Sequence, residues 1–158
     1  MPEYPRELIA DLLRGRLSSD EIGGLQRHEK DASRFQTVLA VEQQRLGWTD
    51  RILLCLQEHL YVVQRPEGSR TVRCECGHEF GDHRRNWKES ALVHERDASD
   101  GLVYRGPRRA DPSWTVLREF YCPGCATQLD VEVVPRGYPF IFNFQPDFEG
   151  HEGRGEAE

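Results

Sequence analysis

The sequence predicts an α+β chain: an N-terminal helical arm, a small antiparallel β domain carrying paired cysteines, and an extended aromatic C-terminal segment. Three observations predict it. Residues 1–48 space their apolar side chains at helical intervals. From Trp48 onward, short β-rich runs separated by turn residues take over. Four of the five cysteines form two tight pairs, Cys74-Glu75-Cys76 and Cys122-Pro123-Gly124-Cys125, with 45 residues between them, and each pair follows a strand-like stretch. The expected divisions are 1–48, 49–134 and 135–158.

Along the arm, Leu8, Ile9, Leu12 and Leu13 share one face of a short helix, and Gly15 is a plausible stop. Ser18-Ser19-Asp20 offers a cap for a second helix, which Gly23-Gly24 would weaken. Phe35, Val38, Leu39, Glu42 and Leu46 make an amphipathic stripe that Gly47 ends. Nothing in the arm has catalytic spacing, so it reads as a packing element.

In the β half, Ile52–Leu56 is a strand. Leu60–Arg65 and Arg70–Arg73, joined by Pro66-Glu67-Gly68-Ser69, form a hairpin that delivers the first cysteine pair. Phe80–Asn86 is polar and irregular, Ala91–Arg96 is a further strand, and Asp97–Asp111 is a surface loop. Ser113–Tyr121 is a strand with Trp114, Val116, Arg118 and Phe120 on one side. After the second pair, Leu129, Val131 and Val133 alternate with Asp130 and Glu132 in a returning strand. Strand, cysteine knuckle and returning strand is the zinc-ribbon plan. Pro135–Gly150 carries six aromatic or branched apolar side chains among prolines and glycines, and two readings stand for it: folding back over its own sheet, or docking on another chain.

A tight turn bearing two thiolates grips one side of a metal ion, so two such turns make a closed tetrahedral site. Cys74, Cys76, Cys122 and Cys125 are therefore candidate ligands of a structural Zn²⁺, with His78 either hydrogen-bonding outside the thiolates or replacing one of them. A redox Cys-x-x-Cys would place one pair at a helix N-terminus, and here both follow strands. A zinc hydrolase using His78 or His83 would need an open fourth position. Cys55, inside an apolar run, reads as a small buried residue.

Composition bounds the rest. With 158 residues, 37% hydrophobic and 30% charged, the core is modest, and metal binding is worth about 10–16 kcal/mol in zinc-finger peptides. Asp and Glu outnumber Lys and Arg by 27 to 21, which argues against a general nucleic-acid binder. Arg84-Arg85 and Arg105, Arg108 and Arg109 are accordingly read as solvated or partner-facing. No apolar run approaches the roughly 20 residues of a membrane span, and the N-terminus lacks a signal-peptide pattern, so a reducing cytoplasm is expected. Phosphate-binding and nucleophile-elbow motifs are missing, which favours an accessory or binding module; a free-standing zinc-ribbon adaptor for nucleic acid or protein is the alternative.

Several dispersed segments carry a family resemblance: Thr71-Val72-Arg73-Cys74-Glu75-Cys76-Gly77-His78, Asn86-Trp87-Lys88, Pro112-Ser113-Trp114, Arg118-Glu119-Phe120-Tyr121-Cys122-Pro123-Gly124-Cys125, Asp130-Val131-Glu132, Tyr138-Pro139 and Phe144-Gln145-Pro146-Asp147. In this order they resemble the small gamma subunit of acetone carboxylase and its acetophenone carboxylase relatives. The resemblance implies a non-catalytic, zinc-bearing subunit of a bacterial cytoplasmic hetero-oligomer with large alpha- and beta-type subunits. It implies ATP-dependent carboxylation of a ketone with bicarbonate to a 3-oxo acid, with ATP, bicarbonate and Mn²⁺ handled by the large subunits, and neither nucleic acid nor membrane as partner. Two departures stand out. Ala126 occupies a position where the family pattern has glycine, so a left-handed backbone there would be strained. The polar tail from Gly153 to Glu158 has a disordered composition.

Overall fold

The computed structural model describes residues 4–97, 111 and 113–148. Three helices precede seven strands: α1 (Arg6–Leu13), α2 (Ser19–Arg27), α3 (Arg34–Leu46), β1 (Arg51–Gln57), β2 (Leu60–Gln64), β3 (Arg70–Cys74), β4 (Glu79–Asp82), β5 (Leu92–Asp97), β6 (Thr115–Tyr121) and β7 (Gln128–Pro135), with a 3₁₀ turn at Trp87–Ser90. The strands form two antiparallel sheets, β1-β2-β3-β4 and β5-β6-β7. This is the α+β arrangement expected. Most of the predicted 97–111 loop, including Arg105, Arg108 and Arg109, and the C-terminal tail lie outside the described residues.

Local chemistry sets the helix limits. In α2, Ser18 Oγ accepts from Glu21 N while Glu21 Oε2 accepts from Ser18 N, a reciprocal cap. With that cap, the helix continues through Gly23 and Gly24, which the sequence marked as a weak point. Gly47, at φ +63°, closes α3. Of the stripe expected on α3, Glu42 is buried and Leu39 and Leu46 pack on the core, joined by the unexpected Val41, whereas Phe35 stays 46% exposed.

Gln43 splices α3 to β1: its Nε2 donates to the carbonyls of Trp48 and Asp50, and its Oε1 accepts from Ile52 N. Ile52, Tyr61 and Val63 then pack against Leu39, Leu46 and Trp48 from the helix side. The other face of this sheet supplies Leu60, Val62, Val72 and Phe80 to a larger core shared with Trp87, Phe120 and Leu129. Cys74 and Cys122 are buried in that core, so the two sheets meet where the cysteine pairs lie.

Three expectations are corrected. Phe80–Asp82, the start of the Phe80–Asn86 stretch read as irregular, belongs to β4 (Glu79–Asp82); its composition gives little strand signal, and the pairing comes from β3, with Thr71 Oγ1 donating to the Gly81 carbonyl. Trp114 belongs to the turn before β6 and is 76% exposed. Most consequential is β7. Phe120 pairs with Asp130 but Tyr121 with Gln128, so Leu129 is an extra residue that bulges from the ladder. A bulge shifts the phase of the pleat. Leu129 turns inward, as do Asp130, Glu132 and Val134, while Val131 and Val133 face outward at 43% and 64% exposure.

The inward charges have partners. Lys88, 1% exposed, donates at 2.6 Å to both Asp130 and Glu132 and lies 5.1 Å from the Phe120 ring centre. Arg118 pairs with Glu95 at 2.8 Å and lies over the Phe140 ring. The C-terminal segment docks on this cluster: Ile141 N donates to Glu132, Asn86 Nδ2 to the Phe140 carbonyl, and Phe140 packs edge-on against Phe120. The fold-back reading of that segment holds for Phe140 and Phe148, which pack inward, while Tyr138 and Phe144 remain half exposed.

Candidate metal centre

The first cysteine turn grows directly out of β3. Gly77 N donates to the Cys74 carbonyl and Cys74 N to the His78 carbonyl, each at 2.8 Å; the reversal uses Gly77 at φ +95°. The second turn follows β6. Cys122 N donates to the Thr127 carbonyl, Ala126 N to the Cys122 carbonyl, and Gly124 N to Cys122 Sγ at 3.3 Å. Ala126 stands at φ +58°, so the left-handed conformation anticipated at this departure from the family pattern is present.

The two turns bring all four predicted cysteines together. Cys74 Sγ lies 3.8 Å from Cys125 Sγ, Cys76 Sγ lies 3.6 Å from Cys122 Sγ, and all four sulfurs lie within 4.8 Å of one another. A tetrahedron with Zn–S bonds of about 2.3 Å has S···S edges of about 3.8 Å. The spacing matches that edge and is far beyond the roughly 2.05 Å of a disulfide. The five described cysteines are all free thiols.

The electrostatics point the same way. Burial pushes the Cys74 and Cys76 thiols up, whereas hydrogen bonding with Thr127, whose Oγ1 is 3.2 Å from the sulfur, holds the Cys125 thiol down at about 6. Three or four thiolates this close repel one another unless a cation neutralises them, and a soft divalent ion does so by displacing protons. The donor set therefore fits a closed Cys₄ metal site.

The other predicted residues are placed as follows. His78 is outside the four-sulfur group; its ring packs edge-on against Phe80, 5.0 Å between centres, and its backbone carbonyl supports the first turn. His83 contacts Asp82 at 3.3 Å and the Phe148 ring, away from the sulfurs' group. Cys55 is partly buried beside the α3 core, with its thiol raised to about 11 by desolvation, the state of an inert side chain.

Sequence reasoning missed the brace around the first turn. Glu75 ion-pairs with Arg45 of α3 and accepts at 2.7 Å from His59, and Arg45 continues to Glu42 and the Tyr61 hydroxyl. Arg45 foremost, then His59, holds the Glu75 carboxyl below its ordinary range. The main chain of His59 contributes too: its carbonyl accepts from Glu75 N at 2.8 Å, and the residue stands at φ +62°. The one local signal was an acidic residue between two cysteines. Gly124 is a second omission: a Cβ there would stand 2.9 Å from His78 Cβ and 3.2 Å from Cys76 Sγ, so the turns approach too closely for any side chain.

Comparisons with known proteins come to the same region. The family model described as acetone carboxylase gamma subunit matches residues 46–154. The acetone carboxylase gamma subunit of Xanthobacter autotrophicus is 43% identical over 150 residues, covering 93% of this chain and 89% of that protein. The acetophenone carboxylase beta subunit of Aromatoleum aromaticum is 31% identical over 84 residues, covering 51% of this chain and 65% of that protein. Among the described residues, no helix is long and apolar enough to cross a membrane.

Proposed function

The chain belongs to the acetone carboxylase gamma subunit family, and from that premise we propose that it is the small zinc-binding subunit of a cytoplasmic, ATP-dependent ketone carboxylase. The observation that carries the reading is the 43% identity to a gamma subunit across 93% of the chain. The complex joins a ketone to bicarbonate and yields a 3-oxo acid, as acetone yields acetoacetate. Large alpha- and beta-type subunits hold ATP, bicarbonate and Mn²⁺ and carry out the chemistry.

Within this reading, Cys74, Cys76, Cys122 and Cys125 hold Zn²⁺ in a site with no position left for water, and the ion supplies cross-linking rather than Lewis-acid chemistry. The residues around it support that role. Gly124 N donates to Cys122 Sγ, the Thr127 hydroxyl lies 3.2 Å from Cys125 Sγ, and the Glu75 brace fixes the first turn to α3. The division of the chain into a 1–48 arm, a 49–134 metal domain and a 135–158 docking segment belongs to the same proposal.

The test is native mass spectrometry of the protein purified from its own host, with metal analysis. The expected result is one zinc per chain and co-purifying large subunits whose ATP hydrolysis depends on ketone. Cys122→Ser should lose the zinc. Ketone-dependent ATP hydrolysis by the isolated chain would overturn the non-catalytic role, and a metal-free native sample would overturn the site.

A further inference from the structure

The β5-β6-β7 sheet has its chemistry inverted. Its inner side carries Arg118, Glu132 and the partly exposed Asp130 and receives Lys88; three of these charged groups are removed from water at a cost that ion pairing only partly offsets. Its outer side presents Leu92 at 55%, Val131 at 43% and Val133 at 64% exposure, with Leu117 paired to Val133 and Leu92 opposite Tyr121. The Leu129 bulge sets this phase; without it Val131 and Val133 would have turned inward together with Leu129. The central charges of the outer side are already neutralised, because Arg96 donates to Glu119 at 2.8 Å and Tyr121 hydroxyl donates to the same carboxylate. His94 stands beside this pair, opposite Glu119, and the rest of the exposed surface flanking it is apolar.

We propose that this outer face is buried against an apolar surface of one of the large carboxylase subunits, an inference that rests on the reading under Proposed function. The face is small. Three strands spaced about 4.8 Å apart and about seven residues long cover about 350 Å². Two copies of the chain meeting through it would bury about 700 Å² in total, below the roughly 1,200 Å² at which specific interfaces begin. A larger partner escapes that limit by reaching past the sheet. Thr115 pairs with Pro135, and at that end stand Trp114, 76% exposed, and Tyr138, 50% exposed. Aromatic side chains of this kind anchor heteromeric interfaces.

The test uses the full chain co-produced with its large subunits. Val133→Lys and Leu92→Lys alter exposed positions, so each isolated variant should keep its zinc content and melting temperature. Each should retain at least tenfold less large subunit on size exclusion and native mass spectrometry, and Val133→Leu should assemble as the parent does. Lysine variants that assemble like the parent would overturn the inference while leaving the carboxylase reading intact. So would a dimer of the isolated chain that Val133→Lys converts to monomers while large subunits stay bound. A parent chain that recruits no large subunit would instead overturn the carboxylase reading itself, and this interface with it.

Discussion

Lys88→Met tests whether the buried ion cluster holds the two halves of the β region together. The substitution keeps the length of the side chain and its packing beside Phe120 and Trp87, and removes the charge. Breaking a buried pair by removing one partner costs about 3–5 kcal/mol. Two features of this site place the cost at the lower end. Asp130 keeps 24% of its side-chain exposure and can rehydrate. Glu132, only 5% exposed, retains the Ile141 amide and has Arg118 Nη1 at 3.9 Å. The loss is then about 3 kcal/mol, and for a chain of this size the melting temperature should fall by about 6–12 °C. The assay is thermal unfolding of the zinc-loaded chain followed by tryptophan fluorescence, since Trp87 sits beside the cluster. Because removing both charges spares the protein an uncompensated carboxylate, Lys88→Met combined with Glu132→Leu should recover at least half of the loss. A melting temperature for Lys88→Met within about 2 °C of the parent, or losses that simply add in the double variant, would refute the reasoning.

Three further outcomes follow from the metal centre and the arm. Ala126→Gly relieves a left-handed backbone at φ +58° and should stabilise the protein by about 1 kcal/mol in denaturant titrations; destabilisation would show that Ala126 makes a contact worth more than the strain. Gly124→Ala pushes a methyl group against His78 and Cys76 and should weaken zinc affinity by about tenfold or more in competition with a chromophoric chelator. At low pH the arm should loosen in a defined sense. The Tyr4 amide, followed by that of Ser33, holds the Asp31 carboxyl below its ordinary value. Its stabilisation is therefore complete above the unfolded value of about 3.9 and is lost as pH falls through the lower folded value. Hydrogen exchange at α1 should rise on acidification by more in the parent than in Asp31→Asn.

Most of the local architecture was legible in the chain. Gly47 ended α3, the Ser18 cap opened α2, and the run from Leu60 to Cys74 formed its hairpin, because each depends on chemistry a few residues long. The cysteine cluster was legible for a similar reason: each pair is preorganised by its own turn, and only the meeting of two turns had to be inferred. The brace of Glu75 by Arg45 and His59 was not, since its members are 30 and 16 residues away and carry no spacing signal of their own. The same holds for β4, a strand made by its neighbour rather than by its composition.

Alternation along Leu129–Val134 declared a strand, and the sequence alone determined that much. Which side of the strand faces the core was decided by the tertiary structure. A period of two is indifferent to phase, and the phase rests on one bulged residue whose carbonyl is held by Gln57. Its inward carboxylates are matched by a lysine that arrives from 44 positions earlier. Long-range charge pairing in a region closed to water outweighed the local preference of two valines for the interior.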